Sequence, residues 1–250
     1  MANLLTTCGN EGRLRDYDTF GVESRLTLDH NLLGFGGATE FGVRAHQEYQ
    51  RRRQWNGDTP TARTPGTGVN AGVRENSERD AFAFSAFLQS RLEFGAFALT
   101  PGVRGEFIRY ERRTLPVDVL AGGRPTGALT AAVSGSERLN KVLPGIGATW
   151  NLTPDITLYG GAHRGFAPPR VEDIITAAGG SVDLDPELST NWELGVRGAI
   201  LPGIRGDATF FVMDFDNQIV AQSVAGGIGT QLTSAGRTLH KGGELSLTGS

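Results

Sequence analysis

The chain has 250 residues, 36 of them glycine, with 38% hydrophobic residues and a formal net charge of −3. No apolar run approaches the roughly 20 residues of a membrane-spanning helix, so a helical membrane protein is excluded. The near-neutral balance offers no basic field, and no aromatic-plus-basic signature replaces it, so no nucleic-acid partner is expected. Cys8 is the only cysteine, which rules out an internal disulfide or a cysteine-built metal centre.

The opening residues, Met1 to Thr6, lack the basic start and apolar run of a secretory signal. That leaves a cytoplasmic chain or a missing beginning, and the rest of the pattern favours the second. After an expected strand near 14–28, the stretch 35–49 alternates, with Phe35, Gly37, Thr39, Phe41, Val43 and Ala45 on one side and Glu40, Arg44, His46 and Glu48 on the other. Such a period of two is that of a strand with one apolar face. It recurs over 79–92 in Phe82, Phe84, Ala86, Leu88 and Leu92, and over 96–111, where Phe97, Leu99, Val103 and Phe107 oppose Arg104 and Glu106. Further strands are expected at 139–151, 156–164, 189–200, 204–219 and 238–249. In 189–200, Trp192, Leu194, Val196, Gly198 and Ile200 face away from Asn191, Glu193 and Arg197.

Most of these nine strands exceed the usual globular length and match the roughly 9–11 tilted residues that cross a bilayer. Tight turns at 29–34, 94–95, 152–155 and 201–203 alternate with long polar excursions at 50–78, 112–138, 165–188 and 220–237. Short periplasmic turns and long extracellular loops are the layout of an outer-membrane barrel. A soluble β-sandwich would alternate too, but structureless loops beyond about 12–15 residues are uncommon in such domains. The fold class expected is therefore all-β: an antiparallel, up-and-down transmembrane β-barrel segment. Nine strands would leave open edges in lipid, at several kcal/mol per unpaired backbone group. The expected domain is thus residues 1–250 as part of a larger barrel, with signal peptide and C-terminal strands outside it.

Several short pieces then fall in order. They are Lys141-Val142-Leu143-Pro144-Gly145 through Trp150-Asn151-Leu152-Thr153 and Leu158-Tyr159-Gly160, then Arg164-Gly165-Phe166-Ala167-Pro168-Pro169. Leu184-Asp185-Pro186-Glu187 and Thr190-Asn191-Trp192-Glu193-Leu194-Gly195-Val196-Arg197 follow. Phe211 to Val220 and Gly236-Arg237 to Lys241-Gly242-Gly243-Glu244-Leu245 complete the series. This succession resembles the barrel of TonB-dependent siderophore receptors and looks nearest to the ferric dicitrate type; 79–109 resembles it more loosely. The resemblance implies a barrel of about 22 strands with a plugged lumen, in the bacterial outer membrane. It also implies a ferric chelate as transported ligand, no cofactor, and energy from TonB-ExbB-ExbD through a plug domain absent from this stretch. Its signature residues are Arg164, Phe166, Pro168, Pro186, Glu187, Trp192, Glu193 and Gly195, all of which also read as barrel architecture. A passive porin or a soluble all-β binding module are the alternatives.

No catalytic motif appears, and no enzyme is expected. His30, His46, His163 and His240 are scattered without metal-site spacing, and no G-x-S-x-G elbow surrounds a serine. Asp214-Phe215-Asp216-Asn217 begins like a calcium loop but continues with Gln218 and Ile219 where the ligand and glycine belong. Asp183, Asp185 and Glu187 alternate on a loop and read as solvated acids or a divalent-ion site. Arg51, Arg52 and Arg53 with Trp55, and Arg109, Arg112 and Arg113, are expected to converge at the extracellular mouth. Guanidinium forks bond carboxylates bidentately, which suits a citrate-like chelate. The same arginines could meet outer-membrane lipid and lipopolysaccharide phosphates, or stay solvated.

Overall fold

A strand that alternates apolar and charged side chains must turn one face from water, and here nine such strands share one sheet. The computed structural model describes residues 10–32, 34–182, 184–216, 219–221, 232–234 and 236–249. Each long strand pairs antiparallel with the next: β1 (Glu11–Leu32), β2 (Phe35–Asn56), β3 (Gly72–Phe94), β4 (Phe97–Thr114), β7 (Val133–Thr153), β8 (Ile156–Ala167), β9 (Glu187–Leu201), β10 (Ile204–Asp216) and β13 (Thr238–Gly249). Two small hairpins lie in the long connections: β5 (Asp118–Ala121) with β6 (Arg124–Leu129), and β11 (Ile219–Ala221) with β12 (Leu232–Ser234). A four-residue helix, α1 (Val171–Ile174), sits between β8 and β9.

All nine expected strands are present, but the first five are longer at their loop ends. The excursions 50–78 and 112–138 are in part strand: β2 runs on to Asn56, β3 begins at Gly72, β4 reaches Thr114, and β7 begins at Val133. These extensions are polar on both faces, so no alternation marks them, yet backbone pairing continues through them, as in Arg51↔Glu78 and Arg113↔Ser134. Arg51, Arg52, Arg53 and Trp55 therefore lie within β2 rather than beyond it. Most of the excursion 220–237, with Gly226 to Gly229, lies outside the described residues, as do Cys8 and Asp183.

The two faces differ sharply. Among the described residues only ten apolar side chains are buried, Pro169 and Pro186 included, whereas Phe20, Phe210 and Leu245 are 75%, 71% and 72% exposed. In water such a surface would be an aggregation liability; against hydrocarbon it is what a barrel exterior requires. From Phe94 up to Phe82 the apolar face of β3 runs ~40 Å at about 3.3 Å per residue, or roughly 28 Å of height at a tilt near 45°. That is the thickness of a bilayer's apolar core.

Aromatic side chains mark the lower border. Phe35 and Phe94 meet at a tilt of 52° with ring centroids 4.6 Å apart, and Phe94 and Phe97 lie 6.3 Å apart. The row through Phe97 continues across the sheet as Trp150, Leu158, Val196, Ala208 and Leu245. It starts beside the turn at 95–96 but meets β9 and β10 well above their turn at 202–203. Successive hairpins step downward, the stagger that tilted strands need in order to close a barrel.

Candidate ligand-binding site

The charged face carries intrastrand ion pairs two residues apart, such as Arg91–Glu93 at 3.0 Å and Arg104–Glu106 at 2.5 Å. Nearer the loop ends this face changes character. The register sets Arg15 directly opposite Arg52, and Arg79 directly opposite Arg112, on adjoining rows. Like charges placed opposite one another destabilise a sheet unless something neutralises them. Part of that neutralisation is internal: Arg52 meets Glu75 at 3.0 Å, and Arg79 meets Glu172 at 3.2 Å and Glu75 at 3.4 Å. Arg15 has no ion pair among the described residues.

The segment after β8 folds back over these rows. Its Val171, Ile174 and Ile175 pack with Ile108 and Tyr110 of β4, with Ala81, Ala83, Leu139 and Phe166 at the edge. Arg112 donates through Nη1 to the Ile175 carbonyl oxygen at 2.7 Å, which ties the segment to the wall. Arg170 bonds Asp173 at 2.9 Å, an interaction that raises the guanidinium pKa above its usual value. Between segment and wall lies a cavity of about 540 Å³, bordered among others by Arg15, Tyr17, Arg52, Arg79, Tyr110 and Glu172. A chain of hydrogen bonds crosses it: Arg79 Nη1 donates to Gln50 Oε1 at 2.9 Å, and Gln50 Nε2 donates to Tyr17 Oη at 2.6 Å.

Several polar atoms here lack hydrogen-bond partners among the described residues: Arg79 Nε, Arg112 Nε, Tyr110 Oη and Ser77 Oγ. Arg79, Tyr110 and Ser77 are 4%, 3% and 1% exposed. Buried donors without acceptors are costly, so each calls for a partner such as a water, an ion or a ligand. What this arrangement can do chemically is grip an oxygen-rich anion with guanidinium forks, backed by phenol donors.

The expected arginine set divides. Arg52 and Arg112 stand on the cavity face, whereas Arg51, Arg53, Arg109 and Arg113 share the face of Phe41, Phe82 and Phe107 and point outward. Adjacent residues of a strand necessarily face opposite ways. Trp55 follows a register shift after Gln54, lies over Gly12 and is 7% exposed beneath the segment 57–71, away from the cavity. Arg15, Tyr17, Arg79 and Tyr110 were not singled out from the sequence. Their meeting depends on register between strands up to about 95 positions apart, which no local spacing encodes.

The signature residues separate as well. Pro168 borders the cavity, and Phe166 packs against the apolar cluster. Arg164 donates to Thr190 Oγ1 at 2.5 Å and lies 3.6 Å from Asp216 on the outward side. Pro186 is fully buried just before β9, and Glu187 opens that strand opposite Ala167. Trp192 faces outward, Glu193 faces the opposite way beside Gly161, and Gly195 lies under the Tyr159 ring.

A sheared antiparallel wall, apolar outside and charged inside, with a polar cavity under a loop, defines the class of outer-membrane β-barrels. The family model described as TonB dependent receptor-like, beta-barrel, matches residues 3–250, and the chain belongs to that family. Its fold matches the ferric-catecholate import receptor Fiu from E. coli K12 with a TM-score of 0.69 and 20% identity, covering 94% of this chain and 36% of that one. The ferric citrate transporter FecA, unliganded, gives 0.69, 20%, 96% and 33%. The siderophore receptor PiuA from Acinetobacter baumannii gives 0.69, 16%, 95% and 36%. The chain thus spans about a third of the length of these receptors. A catecholate and a citrate receptor match equally well, so the fold singles out neither chelate. The family consists of transport receptors, not enzymes.

Proposed function

We propose that this chain forms the ligand-gripping part of an outer-membrane receptor for an anionic, citrate-like ferric chelate, taken up with energy delivered by TonB-ExbB-ExbD through a plug domain. The observation that carries this reading is the pair of opposed arginine couples, Arg15–Arg52 and Arg79–Arg112, on the charged wall. The orphaned Nε donors of Arg79 and Arg112 suit carboxylate oxygens, since guanidinium–carboxylate contacts are short, bidentate and roughly twice as strong as neutral hydrogen bonds. The ferric centre belongs to the cargo, so the protein needs no metal ligands of its own. A neutral hydroxamate chelate would use the phenols of Tyr17 and Tyr110 more than the arginines.

Calorimetric titration of the purified receptor with ferric citrate tests this. Arg15→Ala, which disturbs no ion pair among the described residues, and Arg52→Ala should each weaken binding about tenfold or more, on the order of 1.5–3 kcal/mol for a hydrogen bond to a charged group. Arg113→Ala, on the other face, should leave affinity unchanged. Equal affinity in all three variants would remove the site assignment. Uptake that persists in cells lacking TonB would instead favour a passive channel.

A further inference from the structure

A third opposed arginine couple lies on the outward face: Arg109 of β4 stands directly opposite Arg138 of β7. Arg109 is paired with Glu111, while Arg138 is exposed and its guanidinium has no ion pair among the described residues. Rows on this face are layered. The row of Arg109 and Arg138 also contains Phe20, Gln47 and Phe82, and directly below it come Val22, Ala45, Phe84, Phe107 and Asn140. Directly above come Asp18, Tyr49, Asp80, Glu111 and Ser136, and above those Asp16, Arg51, Glu78, Arg113 and Ser134. The arginine couple is therefore the first charged layer met on leaving the apolar band, at headgroup height.

We propose that Arg109 and Arg138 form a docking surface for the phosphate of an outer-leaflet lipid, whose acyl chains lie along Phe82, Phe84 and Phe107. The proposal rests on the membrane placement of the fold and not on the identity of the chelate. Charge layering selects a lipid-borne phosphate over a free one. An anion arriving from bulk water crosses the mixed layer of Asp16, Arg51, Glu78 and Arg113, where Arg113 is paired with Glu78, and then the acids Asp18, Asp80 and Glu111 before it reaches Arg109 and Arg138, whereas a phosphate anchored in the leaflet meets Arg109 and Arg138 first. Two adjacent guanidinium groups opposite one another are unfavourable by themselves and become favourable around a shared dianion. Arginine also suits this height because its apolar stem lies along the band while the head reaches the interface.

The purified receptor, reconstituted in phosphatidylcholine bilayers with or without bisphosphorylated lipid A, supplies the test, read as the shift in unfolding temperature across a lipid titration. Wild type should be stabilised by the phosphorylated lipid, and Arg138→Ala should need about tenfold more lipid for the same shift, the effect of one charge-assisted contact at 1.4 kcal/mol per decade. Arg138→Lys should recover part of the loss. Should Arg138→Ala fail to fold, Arg138→Gln takes its place. Equal stabilisation by lipid A stripped of phosphate, by inorganic phosphate alone, or in the Arg138 variants would overturn the proposal, as would no stabilisation of wild type.

Discussion

A Cβ placed on Gly195 would overlap the Tyr159 ring and lie 2.9 Å from the Ala208 carbonyl oxygen. The bare backbone there lets the ring lie flat across the strand, where Arg197 covers it at 5.4 Å from the centroid and its hydroxyl donates to Asp207 at 2.7 Å. Gly195→Val should therefore displace the ring and break the hydrogen bond, at about 1–3 kcal/mol for overpacking. Urea unfolding in detergent measures it, and an unchanged midpoint would mean that the ring has another resting place. Trp55 over Gly12 repeats the device at the loop end. Both glycines are visible in the sequence as glycines, but their partners sit on other strands, so only the register identifies what each accommodates.

At the scale of elements, the connection between β2 and β3 is closed by one carboxylate. Asp58 accepts the backbone N–H of Thr67 at 2.9 Å and of Gly68 at 2.6 Å, and these bonds, Thr67 first, pull its pKa below the usual carboxylate value. A depressed folded value means that the ionised form holds the loop. Its contribution is complete above the unfolded value of about 3.9 and is lost as pH falls through the lower folded one. Hydrogen-exchange protection at Thr67 and Gly68 should thus drop from about pH 4 downward. In Asp58→Asn it should already be low at neutral pH. A profile flat to strong acid would show that backbone bonds such as Gly66 N–H to the Asn56 carbonyl suffice. Loop elements of this kind were the least legible in the sequence. The β5–β6 hairpin and α1 arise from stretches without a sustained period, the hairpin held by contacts such as Asp118 Oδ2 with the Val73 N–H at 2.6 Å and α1 by the packing of Val171 and Ile174.

For the whole molecule, the decisive contrast is between the solvents on the two sides of one sheet. Val196 lies midway between Trp192 and Ile200 on the outward face of β9, so Val196→Arg should cost about 2–4 kcal/mol in a bilayer, as expected for arginine at the midplane. Gln89→Arg, on the charged face beside Glu40, should cost far less. Folding yield into lipid vesicles compares them, and equal penalties would put water, or protein, on both sides. The sequence by itself determined the strands, their alternation and the side that meets lipid, because a period of two is written in neighbouring residues and each strand obeys it alone. It also carried the ordered motifs from Lys141 to Leu245 that mark the family. Only the tertiary structure decided which arginines meet. Arg52 shares a cavity with Arg15 and Arg79, and Arg112 stands on the same face, while Arg51, Arg109 and Arg113 turn outward, because a one-residue step reverses a side chain and long-range pairing fixes its partner.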